Sequence, residues 1–187
     1  NGKNELVYQT SWGFTTRSIG TCIMTHGDNK GLILPPKIAP IEIIIVPIKY
    51  SKNQEINDKI LNMANAIYDK LKNSFRVKID NSGKKPGWTY WHWESKGVPF
   101  RIEIGPKDVE NNKVIIVSRY SGLKNDIKYD DLTIEFMKNN LKDYHEKIFV
   151  NAKNNLNKSI NVCNTFDEIK MIIAKGNLAL TCLCDKD

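Results

Sequence analysis

The run from Ile41 to Ile48 constrains the fold more than any other part of the sequence. Ile and Val fill most of its positions without polar alternation, which is typical of a strand covered on both faces. Apolar residues then recur at spacings of three and four from Ile56 to Leu71, which predicts an amphipathic helix. A buried strand followed by a helix favours an α/β architecture with right-handed crossovers.

The chain continues this alternation as far as residue 155. The pattern predicts strands over residues 75–79, 100–104 and 114–117, a short aromatic helix over 89–96 and a long helix over 129–155. The residues of the long helix expected to face inward are Phe136, Leu141, Tyr144, Ile148, Phe149 and Ala152. We therefore expect a three-layer α/β domain with a mixed sheet over residues 41–150.

Shorter segments flank this domain. Residues 1–40 are rich in Gly, Thr and Ser, and predict a strand up to about Trp12 and a helix from about Thr15 to Thr25. The three prolines at positions 35, 36 and 40 form a stiff connector, which predicts a domain boundary near residue 40. Residues 151–187 predict a small α+β tail, with a helix opened by a capping box at Thr165 and a strand over 178–183. We expect a fragment of a longer protein.

The net charge limits the classes of partner without selecting one. The chain has 28 Lys and Arg against 21 Asp and Glu, giving +7, which is compatible with a polyanion. No apolar run could span a bilayer and no signal peptide is present, so we expect a soluble, intracellular protein with reduced cysteines. No Ser/His/Asp order, HExxH motif or P-loop supports a hydrolase or a P-loop NTPase.

Aromatic and basic residues are densest between positions 84 and 96. This cluster contains Trp88, Tyr90, Trp91 and Trp93 among Lys and His side chains. Rings beside cations can hold the unstacked bases of a single-stranded RNA loop. The alternative is that two of the rings, those of Trp88 and Trp91, belong to the core.

Three charged residues are further candidates for recognition. Glu94 and Arg101 flank a Lys-Gly-Val-Pro turn, and a carboxylate with a guanidinium can discriminate guanine. The alternative is an ordinary ion pair across the turn. Arg17, between a Gly/Thr-rich stretch and a helix, could stack on an adenine or lie on a helix surface.

Three motifs together resemble one family. They are the stretches Gln9–Gly20, His26–Pro36 and Pro86–Asp108, and they closely resemble prolyl-tRNA synthetases of the eukaryotic and archaeal type. The resemblance runs in register from about Leu6 to Arg119 and more loosely to the end. It implies a class II synthetase, a proline–tRNA ligase that makes prolyl adenylate and pyrophosphate from proline and ATP and then transfers the prolyl group to tRNA.

The resemblance assigns residues 1–40 to the end of the antiparallel-sheet catalytic domain, including the third class II motif. Arg17 matches the catalytic Arg that stacks on the adenine of Mg-bound ATP, and Thr15 matches a residue near the ATP. Ser11, Trp12 and Gly13 match the floor of the proline pocket. The second class II motif is missing, so we expect this chain alone not to activate proline.

Residues 41–150 resemble the anticodon-binding domain of the family. Glu94, Arg101 and Lys124 match positions that meet the guanines of the proline anticodon. Residues 151–187 resemble the start of the C-terminal domain, with Cys182 in the place of its first zinc cysteine. Because Cys184 is not at the usual ligand spacing, zinc is doubtful and no residue of this chain is assigned to a metal.

The implied partners are tRNA(Pro), L-proline and ATP, in a cytoplasmic enzyme that is a homodimer at full length. Two other interpretations remain open from the residues alone. One is a non-catalytic α/β module that binds RNA, and the other is a generic interaction domain whose charge serves solubility.

Overall fold

A five-stranded mixed sheet with helices on both faces forms the centre of the computed structural model, which describes residues 7–49 and 53–182. The elements in chain order are α1 (Arg17–His26), β1 (Ile43–Pro47), α2 (Gln54–Leu71), β2 (Val77–Ile79), α3 (Pro86–Ser95), β3 (Phe100–Ile104), α4 (Pro106–Glu110), β4 (Lys113–Ser118), β5 (Lys124–Lys128), α5 (Ile134–Ser159), β6 (Ile160–Val162), α6 (Phe166–Ala174) and β7 (Leu178–Leu180). The sheet order is β2-β1-β3-β4-β5. β1 pairs parallel with β2 and β3, and β4 runs antiparallel to both of its neighbours, which confirms the expected mixed α/β fold.

Alternation along β1 explains the three layers. Ile43 and Ile45 lie in the core that α2 and α5 complete, whereas Ile44 and Val46 pack with Trp93 of α3. All four strand residues are almost fully buried, so the near-continuous apolar run is accounted for by two cores on opposite faces.

Side-chain caps set the starts of the two long helices. The Asn53 side chain accepts a hydrogen bond from the Ile56 amide before α2, and the Thr133 hydroxyl accepts one from the Phe136 amide before α5. The long helix therefore begins at residue 134, after β5 and a turn, rather than at 129. The predicted inward position of Phe149 is wrong, because its side chain is 55% exposed, whereas Met137 is fully buried.

The segments on either side of the domain differ from the sequence prediction in detail. Residues 7–16 form no strand, so the prediction of a strand up to Trp12 is wrong; within the described residues this segment pairs with no strand. In the tail, the capping box at Thr165 and Glu168 opens α6 as predicted. β7 pairs in parallel with β6, which the sequence did not predict.

The stretch between α1 and β1 is attached to the domain by polar contacts. The Leu32 amide donates to the Ser95 carbonyl at 3.0 Å, and the Leu34 amide donates to the Gly97 carbonyl at 3.4 Å. The Arg119 guanidinium donates to both carboxylate oxygens of Asp28, at 2.5 and 2.9 Å. The boundary near residue 40 stays a prediction, and residues 28–39, here named the connector, lie against the α/β domain.

The bond between Asp28 and Arg119 predicts a loss of stability in acid. Hydrogen bonds from Arg119 hold the pKa of Asp28 at about 2, below its ordinary value of 3.8. Because the pKa is depressed in the folded state, the stabilisation is complete above pH 4 and is lost as the pH falls through 2. The Asp28 side chain is 41% exposed, so we expect Asp28→Asn to cost about 1 kcal/mol at pH 6 after allowance for solvent screening.

Urea unfolding of the chain and of the Asp28→Asn variant at a series of pH values measures this difference. The two curves should converge towards pH 2. A constant difference across the acid range would contradict the assignment of the effect to ionised Asp28.

Candidate nucleic-acid interface

Two charged residues of β3 occupy the sheet face that carries α3. Arg101 is in register with Ile44 and Glu103 with Val46 on the neighbouring β1. Residues paired in this way point to the same face, so Arg101 and Glu103 lie on the side where Trp93 packs. The strand thus places a guanidinium and a carboxylate next to the end of α3.

These residues form a connected ionic network. Arg101 donates through Nε to Glu103 Oε1 and through Nη1 to Glu94 Oε1, both at 2.9 Å. Lys124 Nζ of β5 lies 3.6 Å from Glu103 Oε2. The three residues predicted to meet the anticodon, Glu94, Arg101 and Lys124, are therefore brought together, with Glu103 between two of them.

Tyr90 forms the aromatic floor of this network. The Arg101 guanidinium carbon lies 4.1 Å from the centroid of its ring, and Lys124 Nζ lies 5.7 Å from it. Burial and the neighbouring Glu103 carboxylate raise the pKa of Tyr90, so the phenol stays neutral. We name Tyr90, Glu94, Arg101, Glu103 and Lys124 the charged cluster.

Exposure separates the members that a base could reach from those that support them. The side chains of Arg101 and Glu103 are 7% and 4% exposed, whereas those of Glu94 and Lys124 are 29% and 55% exposed. The ion pair between Glu94 and Arg101, the alternative left open by the sequence, is present. It leaves the Glu94 carboxylate partly exposed and held in place.

Arg119 fixes the main chain beside Glu94. Its Nε donates to the Glu94 carbonyl oxygen at 2.8 Å, while its other nitrogens bind Asp28. The Arg119 side chain is almost fully buried, at 2% exposed. The buried guanidinium joins the end of α3 to the connector.

Sequence reasoning missed Glu103, and it named Tyr90 only as a member of the aromatic cluster between positions 84 and 96. A signal for Glu103 was available: Arg101 and Glu103 are two apart in a strand and so share a face. No spacing rule joins Tyr90 of α3 to Lys124 of β5, because that contact depends on how the helix crosses the sheet.

The positions of the tryptophans of α3 differ from the interpretation in which Trp88 and Trp91 belong to the core. Trp93 is the buried one, and its indole Nε1 donates to Asp80 Oδ2 at 2.6 Å. Trp88 and Trp91 are 43% and 60% exposed, so that interpretation is wrong. Trp88 stacks on His92 with ring centroids 4.7 Å apart. Lys84 Nζ also lies 5.9 Å from the centroid of the Trp88 ring.

The residues predicted to serve ATP and proline lie far along the chain from the charged cluster. Ser11, Trp12, Gly13, Thr15 and Arg17 are all exposed, with Trp12 at 91%. Arg17 is the first residue of α1, and its amide donates to Thr15 Oγ1 at 3.3 Å. Among the described residues nothing gathers these side chains into a pocket, and their roles stay predictions.

Metal-ligand clusters and bilayer-crossing helices are both absent from residues 7–49 and 53–182. This part of the chain has no group of three or more His, Cys, Asp or Glu side chains placed to hold a metal ion. Cys182 is exposed, and Cys184 lies outside the described residues. None of the helices in the same ranges has both the length and the apolarity that crossing a bilayer requires.

Comparison with known proteins places this arrangement in a family. The sequence profile described as "Anticodon binding domain" matches residues 42–140, which span the sheet, α3 and the charged cluster. The chain therefore belongs to the anticodon binding domain family.

Similar proteins extend the match beyond this domain. The chain is 42% identical to the proline–tRNA ligase of Natranaerobius thermophilus over 91% of its own length, and 42% identical to that of Mycoplasma mobile over 95%. A crystal structure of prolyl-tRNA synthetase from Cryptosporidium parvum, complexed with L-proline and AMP, matches 91% of the chain with a TM-score of 0.83 and 39% identity. The chain spans about a third of each of these proteins, 35% or 36% of their lengths.

Proposed function

We propose that this chain is part of a proline–tRNA ligase, a class II aminoacyl-tRNA synthetase, and that it carries the anticodon-binding module. The overall reaction is ATP plus L-proline plus tRNA(Pro) to prolyl-tRNA, AMP and pyrophosphate. Identity of 42% to two such ligases over nine-tenths of the chain supports this. The finer assignment to the eukaryotic and archaeal type rests on the resemblance of the three motifs and on the likeness to the Cryptosporidium parvum enzyme, while the two bacterial ligases at 42% identity do not favour it.

The observation that carries the proposal is the convergence of Glu94, Arg101 and Lys124 on one sheet face. Guanine presents two N–H donors beside the O6 acceptor on its Watson–Crick edge, and O6 and N7 accept on its Hoogsteen edge. A carboxylate such as Glu94 accepts from the donors, and an ammonium such as Lys124 donates to the acceptors. No other base offers this combination, so the pair can select guanine.

In this proposal Arg101 acts mainly by holding the neighbouring carboxylates in place. Its guanidinium uses two donors on Glu94 and Glu103 and lies over the ring of Tyr90, so it holds both carboxylates in fixed directions. A fixed carboxylate loses less conformational entropy on binding than a free one.

In the proposed enzyme, residues 1–40 close the catalytic domain and residues 151–187 begin the C-terminal domain. Arg17 stacks on the adenine of Mg-bound ATP, with Thr15 beside it, and the stretch from Ser11 to Gly13 lines the proline pocket. The proposed partners are tRNA(Pro), L-proline and ATP, in a cytoplasmic homodimer. The AMP and L-proline in the solved relative support the choice of ligands.

Equilibrium binding of this chain to a proline tRNA at fixed salt tests the module directly. We expect changes of the two anticodon guanines to weaken binding by about 1–3 kcal/mol each. In Glu94→Gln the discrimination should shrink about tenfold or more, because the amide donates where guanine also donates. Glu110→Gln, an exposed change on α4, is the matched control and should leave discrimination intact.

Two results would contradict the proposal. One is equal, steeply salt-dependent binding of the proline tRNA and of the same tRNA with changed anticodon guanines. That result would mean that the basic residues contact only the phosphates. The other is full discrimination by the Glu94→Gln variant.

A further inference from the structure

The last turn of α3 is attached to the rest of the chain through its main-chain carbonyls. A helix leaves its last carbonyls without partners inside the helix. The Glu94 carbonyl accepts from Arg119 Nε at 2.8 Å and from the Gly97 amide at 3.0 Å. The Ser95 carbonyl accepts from the Leu32 amide of the connector at 3.0 Å. The turn that carries Glu94 is therefore held by groups from other parts of the chain.

Arg119 is oriented by the connector. Its side chain is 2% exposed, and its two terminal nitrogens donate to the two carboxylate oxygens of Asp28. A planar guanidinium bound at both terminal nitrogens is fixed in orientation, so its Nε is directed at the Glu94 carbonyl. Removal of Asp28 would leave a buried cation without this partner, which favours a different placement of the side chain. The connector thus acts on Glu94 through Arg119.

Two arginines restrain Glu94, one at each end of the residue. Arg101 holds the carboxylate, with Nη1 2.9 Å from Oε1, and Arg119 holds the carbonyl. The direction of a helical side chain follows from the position of its own main chain. A cation at the C-terminal end of a helix is also favoured by the helix dipole. Arg101 belongs to the charged cluster, whereas Arg119 acts from outside it, on the main chain of Glu94.

We propose that Arg119 is a positioning residue for guanine selection and that Asp28 of the connector controls it. The inference rests on the proposed function, in which the Glu94 carboxylate accepts hydrogen bonds from guanine. Hydrogen bonds weaken steeply when their geometry departs from the preferred distance and angle, so a small displacement of the Glu94 main chain lowers selectivity. Asp28, which precedes the α/β domain in the chain, thereby influences how well that domain distinguishes guanine from other bases.

Equilibrium binding of the full 187-residue chain to the proline tRNA, and to the same tRNA with changed anticodon guanines, tests this role. The readout is the ratio of the two dissociation constants. A loss of folded protein raises both constants by the same factor and leaves the ratio unchanged, whereas a displaced Glu94 lowers it. In Arg119→Met the ratio should fall about fivefold, less than in Glu94→Gln, because the carboxylate is displaced but still present.

Arg76→Met is the matched control. Arg76 also holds the connector, since its Nε donates to the Ala39 carbonyl at 2.8 Å and its Nη2 to the Pro36 carbonyl at 2.5 Å. Neither contact involves α3, so the ratio should equal that of the parent chain. A fall of the same size in Arg76→Met as in Arg119→Met would overturn the proposal, because general loosening of the connector would then explain both.

Asp28→Ala tests whether the connector acts through Arg119. Its ratio should fall about threefold, and the Arg119→Met/Asp28→Ala double variant should be no worse than Arg119→Met alone, because both changes break the same path. Reductions that multiply in the double variant overturn the role of Asp28. An unchanged ratio in Arg119→Met overturns the proposal as a whole. If Arg119→Met fails to fold, an unchanged ratio in Asp28→Ala does so.

Hydrogen exchange without tRNA separates this inference from the proposed function. The Gly97 amide, which donates to the Glu94 carbonyl, should exchange faster in Arg119→Met than in Arg76→Met. If the parent chain does not discriminate between the two tRNAs, the proposed function fails. Faster exchange of Gly97 in that case still supports Arg119 as the residue that positions the end of α3, and equal exchange in the two variants overturns it.

Discussion

Arg101→Met is expected to lower the free energy of unfolding by about 3–5 kcal/mol. The destabilisation comes from the two carboxylates that Arg101 neutralises. Glu103 is 4% exposed and Glu94 partly exposed, and both lose the guanidinium that neutralises them. Lys124 stays 3.6 Å from Glu103, but it is more than half exposed and compensates little. Chemical unfolding followed by far-UV circular dichroism measures the loss.

The double variant Arg101→Met/Glu103→Met is the control for this explanation. Replacing a buried ion pair by apolar side chains of similar volume is often neutral, so the double variant should recover most of the lost stability. It should not recover selective tRNA binding, because Glu94 is no longer held. If the double variant is as unstable as the single one, loss of packing rather than an uncompensated charge explains the effect.

Gly31→Ala is expected to detach the connector and to cost about 2–4 kcal/mol. Gly31 has a φ of 128°, a conformation that side chains rarely adopt, and a Cβ there would lie 2.6 Å from the Ser95 backbone. The amide of Leu32 donates to that same Ser95 carbonyl. The substitution therefore adds strain and removes the contact at the same point.

Gly122→Ala separates these two contributions. Gly122 also has a positive φ, 68°, but a Cβ there would meet nothing within 4 Å. Its substitution should cost only the backbone term, about 1–2 kcal/mol. Hydrogen exchange is the more specific readout, because the Leu32 amide should lose protection in Gly31→Ala alone. Unchanged protection in that variant would contradict the close packing of the two backbones.

The sequence predicted the central domain well because its signals are local and strong. The β-branched run of β1 and the spacing of α2 each depend on burial along one element, and both elements are confirmed. β5 was missed because Lys-Asn-Asp-Ile-Lys has no strand composition; its hydrogen bonds to β4 make it a strand. Trp93 rather than Trp88 is buried because tertiary packing, and not helix spacing alone, decides which ring meets Ile44.

In the candidate site too, some residues could be predicted from the sequence and others depend on tertiary packing. Resemblance to a family assigned Glu94, Arg101 and Lys124 to one role, and in the fold Glu103 joins Arg101 to Lys124. The support given by Tyr90 and Arg119 could not be predicted, because each connects residues far apart in sequence. The roles of Glu94, Arg101 and Lys124 in reading an anticodon stay predictions until tRNA binding is measured.

The two hydrogen bonds from Arg119 to Asp28 hold the connector against the α/β domain, so it does not behave as a flexible linker. A flexible linker of similar length would let α1 move through a volume around the α/β domain. The bond limits how far α1 can move relative to the charged cluster. In the proposed enzyme, a tRNA held at its anticodon would then meet the adenylate side at a high effective concentration, with no binding energy spent on ordering the link.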